Sequence, residues 1–292
     1  MIRKRISPTL SFEVFPPNSK VGTKKLIHTL DAFKELSPSF ISVTCNNSTR
    51  NIENTTVHLS GYIKQELGIP SVAHLPATYL TKGRVLTILK QLDKLGVNHL
   101  LALRGDEQPT MEPCNDFKYA SDLITFIKEQ APHFYISGAC YPEIHPDSKS
   151  KVEDIHYLKK KTEAGCNNLI SQLFFDNEIF YQFQENCALA NINRPILAGI
   201  MPIVNRSQAL RLFKTSGTYL PKKFLRILDR YEHHPEALRD AGLAYAVDQI
   251  VELVTQNVDG IHLYTMNNSA TANYIYQTTS SLFKTQEELL SI

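Results

Sequence analysis

A carboxylate set in an apolar, aromatic segment is the first residue in this chain able to do chemistry. Glu13 lies within Ser11-Phe12-Glu13-Val14-Phe15-Pro16-Pro17, and the two prolines end the extended segment. Burial disfavours the charged form of such a group and suits it to donating a proton. A buried glutamate paired with an arginine is the competing account, and the phenylalanines read as core. Leu103-Arg104-Gly105-Asp106 places a cation, a permissive glycine and an anion within reach of one ligand. The glycine allows backbone to approach a ring or phosphate closely, although an Arg–Asp pair tying a loop has the same signature. Tyr141-Pro142-Glu143-Ile144-His145-Pro146 is a stiffened loop with three hydrogen-bonding heads. Further on, Asp154, Tyr157 and Lys161 fall on one helical face, and Lys160 and Lys161 belong to a run of three lysines that could neutralise a pyrophosphate or simply be solvated. Gln172 sits among aromatics, where its amide can both donate and accept at the edge of a heterocycle. It could equally bond a neighbouring strand. Glu13, His74, Asp106, Glu143 and His145 lack close metal-ligand spacing, so no metal is expected.

These residues share a position. Eight short apolar stretches, Leu10–Phe15, Phe40–Thr44, Ser71–Leu75, His99–Arg104, Tyr135–Tyr141, Asn168–Phe174, Ile196–Met201 and Gly260–Tyr264, each end in polar or specially shaped residues. Segments of helical period follow the first six, at Thr23–Leu36, Ile52–Leu67, Thr81–Leu95, Tyr119–Gln130, Lys151–Ala164 and Asn177–Ala190. Strand then helix, recurring about every 35 residues, predicts a parallel (β/α)8 TIM barrel in a single domain over residues 1–292. In that fold the downstream ends of all strands meet on the face that carries the chemistry. Ser207–Thr215, Lys222–Tyr231 and Pro235–Val254 are extra helices between strands seven and eight. They shape a ligand mouth, form an oligomer contact or extend the core.

Composition narrows the partners. The net charge of +2 is the balance of 31 basic and 29 acidic residues spread along the chain, which calls for neither nucleic acid nor an anionic membrane and leaves a small molecule as the expected ligand. The five cysteines lie far apart with no C-x-x-C pair, as in a reduced cytoplasmic protein. No run approaches the roughly 18 apolar residues of a spanning helix. The 12 glycines form neither a G-x-G-x-x-G nor a P-loop pattern, so any nucleotide cofactor is held by other means.

Taken in order, SFEVFPP, ISVT, AHLPAT, LALRGD, YASDL, YPEIHP, Lys161-Thr162-Glu163-Ala164-Gly165, QLFFD, GIMPI and HLYTMN resemble the catalytic domain of the methylenetetrahydrofolate reductase family, from Leu10 to about Tyr276. The resemblance implies an FAD-dependent enzyme that takes hydride from NADH, or NADPH, and passes it to methylenetetrahydrofolate in a ping-pong cycle feeding methionine synthesis. It makes Glu13 the general acid and places Asp106 beside flavin and pterin. Gln172 and Gln208 become substrate contacts. The FAD contacts it implies are Thr44, His74, Arg104, Gly105, Asp106, Tyr119, Ala120, Tyr141, His145, Asp154, Lys160 and Lys161. By analogy with short bacterial members it also implies a homo-oligomer without a regulatory domain, favouring NADH. Four positions depart from the family pattern. Tyr157 replaces an asparagine at the flavin and Lys160 an arginine, Cys166 stands at a small position, and Asn268 replaces an arginine that helps hold the folate tail. A cofactor-free or metal-dependent barrel enzyme and a non-catalytic binding relative are the alternatives.

Overall fold

The computed structural model describes residues 7–45, 51–107, 109, 112–216 and 218–284. Its eight strands are β1 (Thr9–Val14), β2 (Ile41–Val43), β3 (Ser71–Pro76), β4 (His99–Leu103), β5 (Tyr135–Cys140), β6 (Asn168–Ser171), β7 (Ile196–Ile200) and β8 (Gly260–Tyr264). Each pairs in parallel with its neighbour in sequence, and β1 closes on β8, with Ser11 opposite His262 and Glu13 opposite Tyr264. The result is the (β/α)8 barrel that the periodicity predicts.

Helices α1 (Lys20–Glu35), α2 (His58–Gln65), α3 (Lys82–Lys94), α4 (Ala120–Gln130), α5 (Lys151–Glu163) and α6 (Asn177–Leu189) cross over between successive strands. α7 (Arg206–Ser216), α8 (Lys222–Arg230) and α9 (Pro235–Thr255) lie between β7 and β8, and α10 (Ser269–Thr279) follows β8. Sequence marks several helix starts: the side chains of Ser19, Thr81, Ser150, Asp176 and Asn268 each accept a first-turn backbone N–H. Apolar faces of the surrounding helices then pack on the outside of the barrel, as where Phe33 of α1 meets Phe12 at 4.9 Å between ring centroids. Phe12 is core as read, whereas Phe15 at the strand exit is 36% exposed.

The barrel interior holds one apolar layer. Phe40, Val72, Leu101, Ile170 and Leu197 form an apolar plug. Two residues further along the chain stand His74, Leu103 and Gly199 within their strands and Gln172 just past the end of β6. Gly199 is dictated by packing: a Cβ there would meet the Ser171 carbonyl oxygen and come within 2.7 Å of Tyr264 Cε2. That space lets the Tyr264 hydroxyl donate to the Ser171 carbonyl at 2.7 Å. Gly199→Ala is therefore expected to lower stability by about 1–3 kcal/mol through overpacking. Denaturant unfolding monitored by far-UV circular dichroism checks this, and an unchanged midpoint would refute it.

The extra helices carry a cluster of their own, in which Leu173, Phe175, Met201 and Ile203 from the ends of β6 and β7 meet Ala209, Phe224, Leu228 and Leu238. Phe175 stacks on Phe224 at 5.0 Å, and the Tyr245 hydroxyl donates to the Phe175 carbonyl at 2.6 Å. Of the three roles open to these helices, walling the mouth is realised. Leu212 lines one cleft, while Gln208 and Arg211 line another. Among the described residues, no helix is long and apolar enough to cross a membrane.

Candidate active site at the C-terminal mouth of the barrel

Glu13 points into the barrel from β1 with its side chain 19% exposed. Two imidazoles meet it, His74 Nε2 at 3.6 Å and His262 Nε2 at 3.7 Å from Oε2. The partners are thus two imidazoles and not the arginine of the competing account. Burial pushes the His74 pKa down to about 4, against an opposing pull from Glu13, so His74 is neutral at pH 7. Among the described residues its Nε2 is buried with no hydrogen-bond partner. His262 is fully buried and bonds Ser11 Oγ through Nδ1 at 2.8 Å and Ser42 Oγ through Nε2 at 3.1 Å. Sequence reading missed His262, although it lies two residues before Tyr264 and so on the same face of β8.

On the same face of the barrel a cleft of about 330 Å³ opens between the β4, β5 and β6 ends. Arg104, Asp106, Tyr141, His145 and Gln172 line it together. Arg104 does pair with an aspartate, but with Asp147 of the β5–α5 loop at 2.6 Å rather than with Asp106. Gly105 has φ +87°, and a Cβ there would come within 2.9 Å of Pro76, so its backbone lies where a side chain cannot. Burial and the neighbouring Asp106 push the Tyr141 pKa up to about 12, keeping its hydroxyl protonated. The Tyr141 ring meets that of His145 edge-on at 4.5 Å. His145 Nδ1 accepts from the Asp147 N–H at 3.1 Å, and burial lowers its pKa, so it stands as a neutral imidazole able to donate through Nε2. Gln172 falls just beyond β6, not within it, and its Oε1 accepts from the adjacent Leu173 N–H at 3.3 Å.

The remaining predicted residues surround this cleft or lie apart from it. Thr44 falls just beyond β2, where its carbonyl accepts from Thr56 Oγ1 at 2.9 Å. Tyr119 caps α4 and Ala120 begins it, with the Asp122 carboxylate accepting the Tyr119 N–H at 2.8 Å. The Asp154 carboxylate accepts from the His145 N–H at 3.2 Å and from Ser148 Oγ at 3.1 Å, and so braces the cleft loop. Lys160 is exposed and places Nζ 5.5 Å from the Tyr157 ring centroid. Lys161 instead turns inward: its Nζ donates to the Ala139 carbonyl at 2.5 Å, and desolvation lowers its pKa. Gln208 is not in the first cleft. It lines a second one of about 390 Å³ between the β7 and β8 exits, with Asn205, Arg211 and Asn268. Of the departures, Asn268 is used by the fold as the cap of α10, accepting the Thr271 N–H at 3.1 Å, and the buried Cys166 thiol donates to the Asn168 carbonyl at 2.9 Å. Across the mouth, both oxygens of Glu143 accept the Tyr219 N–H at 3.1 Å, tying the β5 loop to the segment after α7.

Comparison with known proteins gives these positions a context. The family model described as methylenetetrahydrofolate reductase matches residues 2–280. A 5,10-methylenetetrahydrofolate reductase of Buchnera aphidicola subsp. Baizongia pistaciae is 35% identical over 260 residues, 89% of this chain and 87% of that protein. The enzyme of that name from Escherichia coli K12 is 34% identical over 260 residues, 89% and 86% of the two chains. Among solved structures, a Clostridium thermocellum protein described as binding two copies of 5-methyl-5,6,7,8-tetrahydrofolic acid superposes with TM-score 0.65 at 13% identity, covering 95% of this chain and 96% of that one. At that identity the likeness shows the barrel fold.

Proposed function

Because the chain belongs to the methylenetetrahydrofolate reductase family, we propose that it reduces methylenetetrahydrofolate to 5-methyltetrahydrofolate with hydride from NADH or NADPH passed through FAD, in alternating half-reactions that feed methionine synthesis. The observation that carries this reading is Glu13, a carboxyl at the barrel mouth held between two imidazoles, on the same barrel face as the cleft that Asp106 and Gln172 line. The residues present fit the cofactor. Gly105 offers backbone where no side chain fits, His74 has a buried nitrogen with no hydrogen-bond partner among the described residues, and Arg104 and Lys160 supply cations for phosphate.

FAD, when bound, accepts and returns a hydride. The chain's own residues do the rest. Glu13 delivers a proton to the bridging amine nitrogen as the methylene ring opens, so that nitrogen leaves neutral and the cation develops on the other side of the bridge. The Asp106 carboxylate favours that developing cation electrostatically. Gln172 presents both a donor and an acceptor to the pterin edge, and Gln208 contacts the remainder of the substrate from the second cleft. Thr44, His74, Arg104, Gly105, Tyr119, Ala120, Tyr141 and His145 hold the cofactor, Asp154 acts through the loop it braces, and Lys161 through the β5 carbonyl it holds.

The test is an anaerobic stopped-flow experiment on the FAD-loaded protein followed at the flavin absorbance band. NADH is expected to bleach the band, and methylenetetrahydrofolate added afterwards to restore it. Bleaching that methylenetetrahydrofolate cannot reverse, or a protein that never acquires the band, would contradict the reading.

A further inference from the structure

Tyr119 and Tyr157 form a stacked aromatic pair that packing does not require. Their ring centroids are 5.9 Å apart at 25°, and each side chain is 40% exposed. Helix α5 packs inward through Leu158 and Ile155, so Tyr157 is not the residue that seats it. Lysine ammoniums rest on both rings, Lys118 on Tyr119 at 5.3 Å and Lys160 on Tyr157 at 5.5 Å. Exposed cation–π contacts of this kind are weak, so a planar ligand can exchange with them readily.

The pair also stands in the right place. Tyr157 is one helical turn beyond Asp154, whose carboxylate holds the backbone of His145 in the cleft wall. The cleft, at about 330 Å³, is smaller than a whole dinucleotide, so part of FAD must extend past its rim. A flat π surface carrying two ammoniums matches the adenylate half, which joins a purine ring to phosphate.

We propose that Tyr157 and Tyr119 form the shelf on which the adenine of FAD stacks, with Lys160 leaving the ring face to meet the pyrophosphate. The inference rests on the cofactor reading given above. Tyr157 is thereby a determinant of FAD over FMN, which has the same isoalloxazine and no adenylate.

Equilibrium dialysis of the apoprotein against FAD and against FMN tests it, using wild type, Tyr157→Ala and Tyr157→Phe. Tyr157→Ala is expected to weaken FAD by about tenfold, the lower part of the range for base–aromatic stacking, and to leave FMN within about twofold. Tyr157→Phe keeps the ring and is expected to stay within about twofold of wild type for both ligands. Unchanged FAD affinity in Tyr157→Ala, or an equal loss for FAD and FMN, would overturn the shelf while leaving the cofactor reading in place. A wild-type protein that takes up no FAD would overturn both.

Discussion

Glu13→Gln is expected to leave bleaching of the flavin band by NADH within about twofold of wild type and to slow its recovery with methylenetetrahydrofolate by a factor on the order of 10² to 10⁴, the usual worth of a positioned general acid. The asymmetry follows from what each half-reaction asks of the chain. Hydride delivery from a nicotinamide requires no proton at the Glu13 carboxyl, whereas opening the methylene bridge leaves an amine nitrogen that must be protonated as it departs. Glutamine keeps the size of the side chain and can still meet His74 and His262, so the barrel interior around it stays filled. What it lacks is a transferable proton. Double-mixing stopped flow separates the two steps. Equal slowing of both would mean that Glu13 shapes the cleft rather than donating a proton, and no slowing of either would remove it from the chemistry.

The parts of the site legible in the sequence are those that one strand end carries alone. Glu13 before two prolines, Gly105 between Arg104 and Asp106, and the stiff run from Tyr141 to Pro146 are local, and the barrel brings them to one mouth because strand–helix periodicity fixes every strand in the same direction. The strand ends were less sharp: the apolar run to Phe174 hid the exit of β6 at Ser171, because Leu173 and Phe174 remain buried after the strand has ended. What could not be read were partners distant in sequence. Ser11 and His262 are 251 residues apart, and Glu143 and Tyr219 are 76 apart. Arg104 illustrates the same limit, since the adjacent Asp106 was the obvious partner and the loop supplies Asp147 instead. Lys161 shows it on a helix: i, i+3, i+7 spacing placed it on the face of Asp154 and Tyr157, but its long stem folds inward to the Ala139 carbonyl. The apolar clusters, by contrast, follow from periodicity alone, which is why the fold was more legible than the site.

Acid should unfold this protein earlier than its modest net charge would suggest, because two imidazoles are held neutral within the barrel. His74 is 6% exposed and His99 is partly buried, and burial lowers the pKa of each from 6.5 to about 4. Burial alone lowers the His99 pKa, with Phe40 and Tyr135 packed on the ring; Ser137 Oγ donates to Asn168 Oδ1 at 2.5 Å and so accepts from His99 Nε2 at 2.8 Å. The unfolded chain takes up these protons near pH 6.5 and the folded chain only near pH 4. Stability is therefore full above about pH 6.5 and is lost as the pH falls through that window toward 4. A fall from 6.5 to about 4 corresponds to roughly 3 kcal/mol for a fully buried imidazole, and less for His99, whose ring is partly solvated. Urea unfolding free energies measured at intervals between pH 4 and 7.5 check the prediction. His99→Gln, whose amide can still donate to Ser137 but does not titrate in this range, should flatten the curve and leave a residual slope from His74. A wild-type stability that is level across the window, or a variant curve parallel to it, would show that these imidazoles do not set the acid limit of the fold.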